Sequence, residues 1–233
     1  MKDRKSKFTR HEFLALSVAA IAGAGLVNFP LPAMAKSPEK KSISNIKKDI
    51  LAGGKGLGEE AIREELAEKS YKLGFEYISK RTYPGCALCV IAAIQDTLDI
   101  RDDSVFKAAT GLSGGTGGTR AGTCGTCAGG ATVFGQLYGC ERSNSDLKGC
   151  AAKSISMTAL LVDEFKREFG SIICQEIRDK LFGRCSDFKS KDEYEQFIKA
   201  NSAEKCGDVV GKGAQFAVNL ILEDIFSARE SRE

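Results

Sequence analysis

Apolar residues in this chain recur at the three-and-four spacing of helices and nowhere sustain the alternation of a strand. From Glu59 to Thr82, Ile62, Leu66, Leu73 and Tyr77 mark one face of an amphipathic helix beside acids and lysines. Pro84-Gly85 ends it, and Cys86–Ile100 restarts as a helix with Leu88, Ile91, Ala92, Ile94 and Leu98 inward. Ser104–Ala109 adds a short stretch, and further helices are expected at Cys124–Tyr138, Ala151–Phe169, Ile172–Phe182, Lys191–Ala200 and Ala203–Ala228. Ser190 with Glu193 forms a capping box, and Ser171 and Ser202 are expected N-caps. Val133 and Val209-Val210 are isolated β-branched residues rather than strands. The expectation is an all-α domain, a compact bundle of five to seven helices. One stretch breaks the pattern: Gly111 to Gly122 holds six glycines in twelve residues, a loop that no ordinary helix or strand tolerates.

The first 35 residues read as an export signal rather than as part of the fold. Five bases and two acids precede a weakly apolar, Ala- and Gly-rich stretch broken by Pro30 and Pro32. A small-residue cleavage site follows at Ala33-Met34-Ala35. Thr9-Arg10-His11-Glu12-Phe13-Leu14 resembles the twin-arginine export motif, with His11 where the second arginine stands. Cleavage after Ala35 leaves 198 residues, enough for one domain with its own core. The expected organisation is a signal at 1–35, a polar linker at 36–58 with a short helix around Ile46–Leu51, and a helical domain at 59–233. The expected location is the periplasm or cell envelope.

Removing the signal also removes the charge. The whole chain carries +3, whereas the mature part has 29 bases and 29 acids, so nothing supports electrostatic binding of nucleic acid. The single histidine, His11, goes with the signal. Histidine-dependent triads, His-ligated zinc or non-haem iron, and the C-x-x-C-H attachment of c-type haem are thereby excluded from the mature protein. All nine cysteines remain. At 9 of 198 they are too few for a small disulfide scaffold, so the chemistry to expect is sulfur chemistry.

Four cysteines share one kind of position on the helix map. Cys86 follows Pro84-Gly85, Cys124 follows the glycine loop, Cys174 lies three residues past Ser171, and Cys206 lies four past Ser202. Each is within or beside the first turn of an expected helix, where free N–H groups and the helix dipole favour thiolate over thiol. Thiolate is the form that binds metal or attacks a disulfide.

The same residues carry a resemblance. Gly85-Cys86-Ala87, the run Gly114-Gly115-Thr116-Gly117-Gly118, Cys124-Gly125-Thr126-Cys127-Ala128-Gly129, Phe169-Gly170-Ser171-Ile172-Ile173-Cys174 and Cys206 resemble the redox-active C-GCAxxG-C-C family over roughly Tyr71 to Asp224. Thr126 stands where that family has a central Ala. The resemblance implies that Cys86, Cys124, Cys174 and Cys206 are the shared cysteines and that they hold an iron–sulfur cluster, [2Fe-2S] or [4Fe-4S]. The family is also similar to split-Soret cytochromes, but with no haem-attachment motif here, haem is not expected.

Cys89 and Cys127 complete two C-x-x-C pairs, Cys86–Cys89 and Cys124–Cys127. Residues i and i+3 share a helix face, so these pairs are additional ligand or redox candidates, and together they allow a structural zinc site with four cysteine ligands. The 34 residues between the pairs exceed the usual zinc-ribbon loop. Cys185 is a further ligand candidate, and Cys140, Cys150 and Cys185 are otherwise read as a surface disulfide such as Cys140–Cys150 or as free thiols. Cys124-Gly-Thr-Cys127 is not a thioredoxin centre, for no strand precedes it and no proline follows it. The glycine run lacks the spacing of a P-loop. It has two readings: a flexible surface loop, or a cluster-tuning loop in which Gly115, Gly117, Gly118, Gly122 and Gly125 let main-chain N–H groups approach cluster sulfurs. Arg120 in this loop is either solvated or a positive charge near the site. Gly125, Gly129 and Gly130 each cost a helix about 1 kcal/mol, which close helix packing explains. Phe165, Phe169, Phe216 and Leu220 read as core.

These readings converge on an exported electron carrier or oxidoreductase accessory protein rather than a stand-alone enzyme. Its expected partner is a redox protein or membrane oxidoreductase, with a homodimer an open arrangement. The alternatives are a metal-free thiol–disulfide protein and a structural zinc module.

Overall fold

The computed structural model describes residues 41–54, 56–142, 149, 151–183 and 202–227. By its contacts the chain divides into Met1–Glu39, outside the described residues, and Lys40–Glu233. The second unit is all-α. Among the described residues it has eight α-helices, one more than the upper expectation: α1 (Ile43–Gly53), α2 (Glu59–Ser79), α3 (Cys86–Leu98), α4 (Asp103–Ala108), α5 (Gly125–Tyr138), α6 (Ala151–Phe169), α7 (Cys174–Phe182) and α8 (Ser202–Ser227). A 3-10 turn, Thr110–Leu112, leads into the glycine loop. The helix expected at Lys191–Ala200 and the capping box at Ser190 lie outside the described residues.

Helix α3 is the axis of the packing. Its sequence, CALCVIAAIQDTL, has no charge before Asp96, and every residue from Ala87 to Gln95 is buried, as are Thr97 and Leu98. A helix apolar all round must be covered on all sides, and α2, α5 and α8 pack against it. The large polar side chain that α3 buries, Gln95, donates to Gln136 Oε1 of α5 at 2.9 Å, and Gln136 in turn donates to the Ile100 carbonyl at 2.7 Å. This satisfies the buried amide and fixes the α3–α5 register. Helix α6 contributes Met157, Leu161, Phe165 and Phe169, one face at i+4 spacing. Phe165 and Phe169 are buried as expected, whereas Phe216 and Leu220 are partly buried against the core. Where α8 crosses α2, Gly74 faces Val210 and Gly211, and Gly211 faces Tyr71, so bare backbone sets the close approach.

The short helix expected around Ile46–Leu51 is present as the longer α1, Ile43–Gly53, and its apolar side packs on the core. In α1, Ser42 caps the first turn through Asn45 N–H, Ile46 is fully buried, and Lys47 Nζ donates to the Ile225 carbonyl at 2.8 Å near the end of α8. A cation suits the negative end of that helix. Ser171 does not cap α7. Ile173 is at the N-cap, held extended by pairing with Thr123, and Ser171 Oγ instead accepts from Ile173 N–H at 2.9 Å in the turn before it. Ser202 is the first helical residue of α8. Among the described residues no helix is long and apolar enough to cross a membrane.

Candidate redox site

Three helix starts meet through their backbones. Thr123 and Ile173 form an isolated antiparallel bridge, with Cys124 N–H donating to the Ile172 carbonyl at 2.7 Å and Cys174 N–H to the Gly122 carbonyl at 3.0 Å. This pairing lays the first residues of α5 and α7 side by side. The start of α3 is joined by α5 itself. A Cβ on Gly125 would stand 2.6 Å from Cys86 Sγ and 3.0 Å from Ser113 Cα. One on Gly129 would meet Val90 and come within 2.8 Å of the Ala87 carbonyl oxygen. Only glycine lets α5 lie this close to α3, so the packing reading of these two residues holds.

The glycine loop is neither slack nor uniformly turned to the sulfurs. Gly114, Gly115, Thr116, Gly117 and Gly118 all have φ between +61° and +74°, a run of left-handed backbone that ordinary L-residues enter at a cost of about 1–2 kcal/mol each. Cross-bonds hold it: Gly117 N–H to the Gly111 carbonyl at 2.7 Å, Arg120 N–H to Gly114 at 2.9 Å and Gly122 N–H to Gly115 at 3.1 Å. Gln175 N–H donates to the Arg120 carbonyl at 3.0 Å, which ties the loop to α7. Ser113 Oγ accepts from Ala87 N–H at 3.3 Å and so covers the first turn of α3. Gly114 supplies a main-chain hydrogen bond to the Cys86 sulfur. Of the expected tuning glycines, Gly115 and Gly125 touch cysteine side chains, Gly122 bonds the Cys174 backbone, and Gly117 and Gly118 border open space.

Cys86, Cys124 and Cys174 thus share one site. The Cys124 side chain hydrogen-bonds Cys86, and this bond, aided by main-chain N–H groups of Gly114, Cys86 and Ala87, draws the Cys86 thiol down to about 6 against the cost of burial. Cys124 moves the opposite way, held protonated by that same bond, by burial and by the nearby charges of Cys86 and Cys174. Burial and the Cys86 charge push Cys174 up to about 11, while Arg178 and Arg120 oppose the rise. The pair therefore shares one proton, with the charge on Cys86. In metal-free protein, Cys86 is expected to be the first thiol alkylated at pH 7, with a rate that rises through an inflection near pH 6. Cys124→Ala should move that inflection toward the ordinary value of about 8.5, and Cys124→Ser, which keeps a donor, should move it less. Alkylation followed by peptide mapping across pH reads both.

Cys206 is half-buried early in α8, where the next residue, Gly207, abuts Phe75 and Ser79 at the end of α2. Cys89 and Cys127 belong to the apolar core. Cys89 donates to the Tyr83 carbonyl at 3.4 Å, and burial pushes the two thiols up to about 12 and about 11. Burial thus keeps both thiols protonated in the metal-free protein. Cys140 is disulfide-bonded, while Cys150 and Cys185 lie outside the described residues. Among the described residues, no three His, Cys, Asp or Glu side chains are disposed to hold a metal ion as they stand. Sequence reasoning passed over Ser113 and Arg178. For Arg178 a signal existed: it lies four residues after Cys174, one turn along the same face.

The family described as "Putative redox-active protein (C_GCAxxG_C_C)" matches residues 85–220, more than half of the chain. The chain belongs to that family. No curated protein and no solved structure matches it. The C_GCAxxG_C_C match opens on Gly85, which has φ +91° at the N-cap of α3, and it contains Cys86, Cys124, Cys174 and Cys206. It is narrower at both ends than the resemblance read from sequence, and α1 and all of α2 fall before it.

Proposed function

We propose that this C_GCAxxG_C_C protein is an exported electron carrier whose cysteine site holds an iron–sulfur cluster. The meeting of Cys86, Cys124 and Cys174 from three helix starts carries the reading. The donor set fits such a cluster in kind: thiols, one already drawn toward thiolate, with N–H groups at the Cys86 sulfur and two nearby arginines to offset negative charge. As they stand, Cys86 and Cys124 are hydrogen-bonded to each other, so binding would replace a thiol pair by thiolate ligation. Cys86, Cys124 and Cys174 would be the ligands, with Cys206 the fourth. A bound cluster would supply one-electron chemistry, which needs no acid–base residue from the protein. The polypeptide buries the sulfurs, bonds the Cys86 sulfur through Gly114 and keeps water from Cys124 and Cys174. Export is supported by the signal-like first 35 residues and by the disulfide at Cys140, since such bonds persist in oxidising compartments.

Anaerobic reconstitution of the metal-free protein with ferrous iron and sulfide tests this. The expected product is brown, with iron and sulfide bound in equal amounts; a colourless, iron-free product would overturn the reading. A second reading, metal-free dithiol–disulfide chemistry, is favoured by the hydrogen-bonded Cys86–Cys124 pair. It expects a Cys86–Cys124 disulfide on mild oxidation, detected by peptide mapping.

A further inference from the structure

Two arginines are almost wholly buried beside Cys174. Arg120 is 5 % exposed and Arg178 is 8 % exposed. Arginine cannot shed its proton in a protein, so each places a permanent positive charge there. Both are placed by the same structure that gathers the sulfurs. A Cβ built on Gly115 would lie 2.7 Å from Arg120 Cα and also 2.7 Å from Cys174 Cβ, so the backbone of one residue adjoins the side chain of the other. Arg120 is fixed at φ +66°, with its N–H on the Gly114 carbonyl and its own carbonyl receiving Gln175 N–H. Arg178 follows Cys174 by one turn of α7 and lies over the Phe182 ring at 6.0 Å. Both charges reach the Cys174 sulfur.

We propose that Arg120 and Arg178 are positioning residues that set the reduction potential of the centre, holding two permanent positive charges against the Cys174 side of it. A thiolate-ligated cluster carries net negative charge that grows on reduction, so fixed cations stabilise the reduced form and raise the potential. The inference rests on the cluster reading above, and its test separates the two. The probe is the full chain reconstituted with iron and sulfide, and the readouts are iron content and midpoint potential by voltammetry. Arg178→Gln and Arg120→Gln should each bind iron as the parent does but favour the oxidised form by about tenfold, or 59 mV for a one-electron couple. Arg178→Lys and Arg120→Lys should stay near the parent potential, which a merely structural role would not predict. Should one Gln variant fail to fold, judged by circular dichroism, the other carries the same comparison. A parent protein without iron overturns both proposals. Iron bound at an unchanged potential in the Gln variants overturns only this one.

Discussion

Alanine in place of Cys86, Cys124 or Cys174 is expected to abolish visible absorbance and bound iron in the reconstituted protein, while Cys127→Ala keeps both. The three site cysteines lie on separate helices joined by the Thr123–Ile173 bridge and the Gly125 contact, so none has a neighbour in its own turn aimed at the same place. Cys127 is one turn from Cys124, yet it is 2 % exposed and belongs to the apolar core. Its loss should register as stability instead, about 1–2 kcal/mol for a deleted buried group and the space it leaves. Iron analysis and urea denaturation on the same four variants resolve the two effects. Iron retained by Cys86→Ala would remove Cys86 from the ligand set.

Two glycine-to-alanine changes in α5 should act with opposite sign. Gly129→Ala is expected to lower stability by about 2 kcal/mol. The added methyl group meets Val90 and approaches the Ala87 carbonyl oxygen to 2.8 Å, and the strain outweighs the gain of about 1 kcal/mol in helix propensity. Gly135→Ala, in the same helix, meets nothing within 4 Å and should raise stability by about 0.5–1 kcal/mol. Urea midpoints at an unchanged slope would read both. Equal effects would mean that α5 does not lie on α3 as described. Gly129→Ala should also weaken the Cys86–Cys124 hydrogen bond, seen as a higher inflection in Cys86 alkylation.

The all-α class and most helix limits were legible because apolar periodicity is local: Ala151–Phe169 agrees to the residue, and Cys124 stands at the N-cap of the helix expected to start there. The place of each shared cysteine at a helix start was legible for the same reason. What the sequence withheld was long-range. That Ile173 would pair with Thr123, and so displace Ser171 from its cap, depends on residues 50 positions apart. The role of residues 43–53 turned on whether one isoleucine, Ile46, would find the core. The C-x-x-C pairs misled in a physical way. Spacing puts both members on one helix face, but it does not say whether that face meets the site or the interior. Cys89 and Cys127 went to the interior. The left-handed course of Gly114–Gly118 could not be deduced from glycine content alone, since glycine permits that backbone without demanding it.

The order in which the chain is made bears on how the centre could be loaded. The α3–α5 half of the sulfur site is encoded before residue 140, but Cys174 and the α8 packing come much later. A nascent polypeptide emerging from the ribosome would therefore expose two of the three sulfurs with no third wall to shield them. Were the site to hold a cluster, that topology would place its assembly on a finished chain, after translation has ended.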